Sequence, residues 1–382
     1  MLRRLSASGI TSDRVRYAAL ALALVVGLVV HRQAVSYVAL TLFALPFAWS
    51  GAARARQRTM RAPSAAELRR VGIGRTITVA RLSPQGTDLD QVPLPERSDA
   101  QFEIGSVTKV FTALLLASAV TDGTVRLEDP VGAYLEVRGD LRAATLHSLA
   151  THTSGLARLP RSPRLWTAIV TGSPDPYAFL TPERWVALAS ASMRRTSDRI
   201  PFVYSNLAFE VLAAALSTAT GLAYEQLLQQ RICEPLAMTG TSLRSGPLLV
   251  AGHDRMGLPV PPWTGVTGSG GIRSTATDLA IFIRAYLEPA STSLGAPMRL
   301  TMLRPSIGGA PRPLGWQTAG SPDDPIYWHN GGTGGFGTFV GFRPETKCGV
   351  AVLVDRYHSR AIDNAGFSIL RSSPTEPIAP GR

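Results

Sequence analysis

The chain has 382 residues, 45 % of them apolar and 17 % charged, which excludes a disordered protein and leaves room for one large or two medium domains. Its 39 basic and 27 acidic residues give a formal charge of +12, but twelve arginines within residues 1–75 (3, 4, 14, 16, 32, 54, 56, 58, 61, 69, 70 and 75) face only Asp13 and Glu67, a net +10. The rest of the chain carries only +2, so no broad basic face for nucleic acid is expected, and Cys233 and Cys348 stand alone without the spacing of a disulfide framework or a zinc site.

Two uncharged apolar runs come first, residues 17–30 (YAALALALVVGLVV) and 34–49 (AVSYVALTLFALPFAW), separated by His31, Arg32 and Gln33. At the helical rise they span about 21 and 24 Å, each short of a ~30 Å hydrocarbon core, whereas one helix through both would overshoot it. They are read as a tight helical hairpin, with residues 1–51 forming an N-terminal membrane segment and the cell membrane as the expected location. A signal sequence and a buried helix pair are the alternatives at these lengths, and no convincing A-x-A cleavage site follows the first run. Residues 52–71 follow as a basic linker expected to lie against anionic lipid headgroups. If both runs span, the flanking arginines keep the following domain in the cytoplasm; if one spans, the domain lies outside.

Residues 76–82 (TITVARL) alternate as a strand does, and residues 84–99, rich in Pro, Asp and Gly, read as a loop leading to Ile104 and Gly105. A helix is predicted over 107–120, closed by Asp122 and Gly123, with Ser106 at its first turn. Ser106 and Lys109 form an S-x-x-K, and residues three apart share a helix face, so hydroxyl and amine can meet beside the helix N-terminus. By itself this pattern also fits a capping serine followed by a surface lysine. Of the 39 basic residues, however, only Lys109 and Lys347 are lysine. A chain that otherwise uses arginine has reason to keep lysine where a proton must be given up, because a buried amine can be neutral and a guanidinium cannot.

Tyr204, Ser205 and Asn206 precede a helix predicted over 207–219 and ended by Gly221; tyrosine and asparagine there also suit packing and capping. Residues 328–336 (WHNGGTGGF) lie between strand-like segments 326–328 and 338–342, and their glycines let a substrate approach the backbone. Asp278 is expected to cap a helix begun at Thr275. His147 and His152 have no carboxylate at metal-ligand spacing, and Gly332-x-Gly334-x-x-Gly337 runs into a strand where a dinucleotide fold needs a helix. No carboxylate pair arises from Glu103, Asp122, Asp278 and Asp355. Neither metal nor cofactor is expected.

These clusters, in this order, resemble the serine β-lactamase and penicillin-binding-protein superfamily, specifically its branch of class C β-lactamases, D-alanyl-D-alanine carboxypeptidases and related esterases. The resemblance covers roughly residues 76–370 through Ser106-x-x-Lys109, Tyr204-x-Asn206 and His329-x-Gly331. The connecting segments 127–131 (LEDPV), 151–156 (THTSGL), 234–238 (EPLAM) and 270–279 (GGIRSTATDL) are similar as well.

The resemblance implies an α/β (α+β) fold for residues 72–382: an antiparallel sheet drawn from both ends of the domain and flanked by helices, with a mostly helical insert between about residues 127 and 248. It implies a serine hydrolase in which Ser106 attacks a carbonyl, Lys109 and Tyr204 move its proton, and Asn206 holds the substrate amide or the lysine amine. The backbone N–H groups of Ser106 and Gly332 would receive the oxyanion. His329, Gly331 and Gly332 would line the substrate strand, with His329 in place of a lysine, which argues against efficient β-lactam hydrolysis. An imidazole of ordinary pKa, ~6.5, would make the site sensitive to pH. The expected partners are a small-molecule or peptide substrate, whether cell-wall-type peptide, ester or β-lactam, and membrane lipid at the N-terminus; the oligomeric state stays open. The alternative is a membrane penicillin-binding receptor acylated without turnover.

Overall fold

The computed structural model describes residues 62–93, 100–193, 202–303, 312–357 and 359–372, so both apolar N-terminal runs and the first ten residues of the expected linker lie outside the described residues. Within the remainder of that linker, Ala65–Arg70 is a helix capped by Ser64, and its Ala65 and Leu68 are buried. These two apolar side chains, three residues apart and so on one helix face, are what bring a basic segment down onto the protein.

β1 (Ile77–Ser83) buries residues on both faces, as a central strand covered by helices on each side must. β2 (Gly86–Val92) corrects the expected loop: it pairs with β1 from Ile77 opposite Val92 to Ser83 opposite Gly86, across a two-residue Pro84–Gln85 connection. Its Thr87, Asp88 and Leu89 are exposed, so this edge strand carries no apolar run by which sequence could reveal it. The remaining strands are β3 (Gln101–Glu103), β4 (Gly252–His253), β5 (Pro259–Val260), β6 (Arg273–Thr275), β7 (Gln317–Gly320), β8 (Pro325–Gly332), β9 (Gly337–Arg343) and β10 (Cys348–Val354).

Six strands form one antiparallel sheet in the order β2-β1-β10-β9-β8-β7, while β3 pairs with β6 and β4 with β5. Chain ends therefore meet in the middle of the sheet, because β1 lies against β10. Every residue of β9 and β10 is buried. One sheet face is covered by the helix Ala276–Leu287; the other is covered by Ser359–Ser372, whose Ile362, Ile369 and Leu370 join Ile77, Val79, Phe339, Val350, Val352 and Val354 in one cluster. Each such aliphatic side chain contributes roughly 1.5–3 kcal/mol on burial. Among the described residues between 127 and 248, no strand joins the sheet; the helices Leu146–Ala150, Pro182–Ser192, Asn206–Thr220 and Tyr224–Leu228 lie there. Ser162–Pro176 belongs to a separate compact unit, in which Ser162 caps the helix Pro163–Val170.

Thr275 is the N-cap of Ala276–Leu287, accepting from the Asp278 N–H, so Asp278 is not the cap. Its carboxylate instead accepts from the Gly240 N–H and the Thr241 hydroxyl, which ties a distant turn to the helix. A hydroxyl at the N-cap position reaches the orphan N–H; the carboxylate three residues on is free for a tertiary contact. Among the described residues, no single helix is long and apolar enough to cross a membrane.

Candidate active site

The nucleophile candidate owes its place to a glycine. Gly105 has φ +50°, and a Cβ there would lie 2.5 Å from the Gly332 nitrogen, so only glycine lets the chain turn out of β3 while touching β8. The result is a 3₁₀ turn, Gly105–Val107, followed by the helix Thr108–Thr121. Ser106 thus stands in the turn before the helix rather than in its first α-helical turn. It is half-buried, whereas the helix is buried from Thr108 through Ala119.

Lys109 is completely buried, and its Nζ donates to Ser106 Oγ at 3.2 Å and to the Ser269 carbonyl oxygen at 2.7 Å. Burial holds its pKa well below the usual lysine range; the nearby Arg158 cation lowers it further, and the Glu210 carboxylate opposes them. The amine also lies 5.0 Å from the centre of the Tyr204 ring, and the Arg158 guanidinium lies 5.0 Å from that same centre. Burial raises the Tyr204 pKa, against the Arg158 charge and a hydrogen bond with the Ser106 side chain.

Ser205 caps the helix Asn206–Thr220 by accepting from the Ala208 N–H at 2.9 Å, and this fixes the residues on either side of it. Asn206 opens that helix with its side-chain oxygen buried and without a protein partner, so it does not hold the lysine amine. His152, at φ +59°, accepts the Ser205 N–H on Nδ1 at 3.0 Å, and its ring centre lies 4.5 Å from that of Tyr204, the planes tilted by 34°. It positions the tyrosine segment, and among the described residues no group of three His, Cys, Asp or Glu side chains could hold a metal ion.

Strand alternation sorts the third cluster. His329 and Gly331 are buried toward the Ser106 turn, while Asn330 donates to the Asp363 carboxylate of the Ser359–Ser372 helix at 2.9 and 3.1 Å. A Cβ on Gly331 would fall 1.9 Å from the Ile104 carbonyl oxygen and 3.1 Å from the Ser106 nitrogen. The His329 ring centre is 6.2 Å from that of Tyr204. His329 corrects the expectation of a pH-sensing imidazole: with no exposed surface and with Lys109 nearby, its pKa is pushed down to about 3. The ring stays neutral through the physiological range. Burial also raises Asp363 to about 7, so the nearby group that titrates there is a carboxylate on the outer side of β8.

A family model described as Beta-lactamase matches residues 74–369. The chain belongs to the beta-lactamase family. It is 31 % identical over 289 residues to the D-alanyl-D-alanine-carboxypeptidase/endopeptidase AmpH of Escherichia coli (strain K12), covering 68 % of this chain and 71 % of that protein. It is 24 % identical over 321 residues to a Beta-lactamase of the same organism, covering 73 % and 81 %. Among solved structures, a class C beta-lactamase superposes with a TM-score of 0.70 at 19 % identity, over 82 % of this chain and 95 % of that one. The octameric penicillin-binding protein homologue from Pyrococcus abyssi gives a TM-score of 0.66 at 23 % identity, over 79 % and 74 %. These likenesses establish the antiparallel sheet flanked by helices.

All the residues expected at the site of this beta-lactamase family member lie on segments that meet around Ser106, but sequence reading missed three neighbours. Glu210, only 2 % exposed, accepts the Thr267 N–H, the Ser269 N–H and the Ser269 hydroxyl, at 3.1, 3.0 and 2.5 Å. A lone carboxylate inside the apolar run LAFEVLAAAL was the available signal. Ser269 lies in a loop with no such signal, and Arg158 is one arginine among many. Because the Gly331 contact is backbone against backbone, Gly331→Ala is expected to lower esterase kcat/KM by more than tenfold and also the melting temperature. Wild-type values for both would show that β8 and the Ser106 turn are not held this closely.

Proposed function

We propose that the protein is a serine hydrolase that forms an acyl-enzyme on Ser106 with an amide or ester substrate, of the carboxypeptidase or esterase type, and that its N-terminal segment anchors it in the membrane. The observation that carries this reading is the Lys109 amine, 3.2 Å from the Ser106 hydroxyl oxygen in a fully buried setting. A desolvated amine that has lost its proton is a base, and the short contact then runs the other way, the hydroxyl donating to the amine lone pair. Lys109 takes the Ser106 proton as the oxygen attacks the carbonyl carbon, Tyr204 donates its hydroxyl proton to the leaving group, and the Lys109 ammonium returns the Ser106 proton to Tyr204, so that both groups end as they began.

The N–H groups of Ser106 and Gly332, on the two segments packed together at Gly105 and Gly331, receive the developing oxyanion. One such donor is worth about 2.7–4 kcal/mol in other enzymes. Asn206, whose side-chain oxygen has no protein partner, accepts an N–H of the substrate. The named activity of the Escherichia coli relative supports a peptide substrate.

The test is intact mass of the full chain in detergent after exposure to a fluorophosphonate, a penicillin and a nitrophenyl ester. A single adduct with the fluorophosphonate, absent from Ser106→Ala, together with ester turnover is the expected result. An adduct that persists without turnover would favour an acylated receptor, and no adduct on folded protein would remove Ser106 as nucleophile. Protease accessibility of the domain in sealed cells tests the anchor and its orientation.

A further inference from the structure

Away from the Ser106 site, apolar side chains and arginines crowd one face of the domain. Val71, Met256 and Leu258 are 73 %, 69 % and 56 % exposed, three of the four large apolar side chains that are more than half exposed among the described residues. Such exposure is concentrated on two segments, and a concentrated apolar patch marks a contact surface. Arg75 joins the two segments, its guanidinium lying 3.6 Å from where a Cβ on Gly257 would stand. Arg69, Arg70, Arg75 and Arg255 are exposed as well, and among the described residues none of the four forms an ion pair.

The turn that carries Met256 and Leu258, between β4 and β5, is built to hold them outward. The Asp254 carboxylate accepts the N–H groups of both residues at 2.9 Å, and the Asp254 N–H donates to the Leu258 carbonyl at 2.8 Å. The acidic side chain of the turn is thereby spent on its own backbone. Asp355, packed against the hairpin, is buried and accepts the Arg75 N–H at 2.8 Å. What reaches the surface is apolar tips ringed by guanidinium groups, which is the chemistry of an interface with anionic lipid: apolar groups enter the headgroup layer and cations meet the phosphates.

The chain itself brings a bilayer close. Residues 50–61 separate the second apolar run from Ala62, the first described residue, and twelve residues reach no more than about 40 Å when fully extended. A run held in a membrane therefore keeps the helix Ala65–Arg70, and Val71 directly after it, within that distance.

We propose that the β4–β5 hairpin, Val71 and the four arginines form a membrane-docking surface of the catalytic domain, which seats Met256 and Leu258 in the headgroup layer of an anionic bilayer. The proposal rests on the membrane anchor and adds where the domain itself touches lipid. It also bears on the active site. The His253 N–H donates to the Gly335 and Asp355 carbonyls at 3.1 and 2.9 Å, so the hairpin is fastened to the segment that follows β8. The Arg255 guanidinium lies 5.7 Å from the centre of the Tyr357 ring, and a Cβ on Gly332 would run into that same ring. Docking thus places the Gly332 side of the site beside the lipid surface, where a membrane-presented substrate would arrive.

The experiment attaches a bimane fluorophore to Met256→Cys in the full chain. The native cysteines, Cys233 and Cys348, are buried, so the new thiol is labelled selectively. Vesicles of phosphatidylcholine, with or without phosphatidylglycerol, carry brominated acyl chains as quencher. Glu345→Cys is the reference position, exposed in the turn at the other end of β10, about 23 Å away along the strand. Emission from the Met256→Cys label should fall about twofold or more in the anionic vesicles and much less in the neutral ones, while the Glu345→Cys label should not respond. Arg75→Gln with Arg255→Gln should restore the emission. Leu258→Cys replaces the first position if that variant does not fold.

Flotation with neutral vesicles in high salt reads the anchor alone, because salt screens the arginines. A chain that floats there, yet whose Met256→Cys label is unquenched in anionic vesicles, overturns the docking surface and leaves the anchor standing; the patch would then suit an acidic protein partner. Equal quenching at the Met256→Cys and Glu345→Cys positions, or quenching indifferent to the two arginine substitutions, also overturns it. Quenching in anionic vesicles by a chain that does not float with neutral ones removes the anchor and keeps the docking surface.

Discussion

Lys109→Arg is expected to slow acylation of Ser106 by roughly a thousandfold, within the range that positioned general bases supply. The charge is conserved, so the loss isolates the property in which the two side chains differ. Burial and Arg158 drive the lysine toward its neutral form, whereas a guanidinium keeps its proton and offers no lone pair to the Ser106 hydroxyl. Space acts in the same direction, because the amine is enclosed by the Ser269 carbonyl oxygen at 2.7 Å and by the Tyr204 and Phe209 rings at 5.0 and 5.6 Å. Lys347→Arg is the matched control: that lysine is exposed in the turn between β9 and β10, and its replacement should leave the rate unaltered. The readouts are ester kcat/KM and the rate of fluorophosphonate labelling. A Lys109→Arg enzyme within tenfold of wild type would remove the lysine from the proton path.

The second large effect is expected at Glu210, where two substitutions separate charge from structure. Glu210→Ala leaves the Thr267 and Ser269 N–H groups and the Ser269 hydroxyl without their acceptor, each such loss costing on the order of 1–3 kcal/mol, and frees the loop whose Ser269 carbonyl holds Lys109. A drop of more than a hundredfold in kcat/KM and a clear fall in melting temperature should follow. Glu210→Gln keeps an acceptor oxygen and removes the negative charge. Since that charge raises the Lys109 pKa, its removal lowers the pKa further, and the neutral amine persists to lower pH.

The acidic limb of the kcat/KM profile should therefore move to lower pH in Glu210→Gln. Arg158, His152, His329 and Tyr204 also face this amine, and Asp363 titrates near 7 on the far side of β8. All five are present in both proteins, so the difference between the two profiles reports Glu210. Coincident acidic limbs would show that Glu210 acts through the loop alone.

Chemistry was more legible in this chain than geometry. Ser106 and Lys109 could be paired from their spacing, since any helical turn brings residues three apart together, and the scarcity of lysine pointed to the one that is buried. The same scarcity says nothing useful about Lys347, which is exposed. The strands β1, β8 and β9 and the helix after Asn206 announced themselves through apolar patterning and through Gly221, which ends that helix at φ +69°. β2 did not, because an exposed edge strand needs no apolar face.

Sequence by itself thus determined the family, the pairing of nucleophile and base candidates, and the order of the three polar clusters, all of which depend on local spacing and residue type. Tertiary structure decided what surrounds them. The pKa of His329 depends on how deeply β8 is buried, the role of Asp278 on a turn 37 residues away in sequence, and the charge around Lys109 on Glu210 and Arg158 arriving from separate segments. Desolvation and long-range Coulomb interactions are properties of a packed environment, and no single stretch of chain contains that environment.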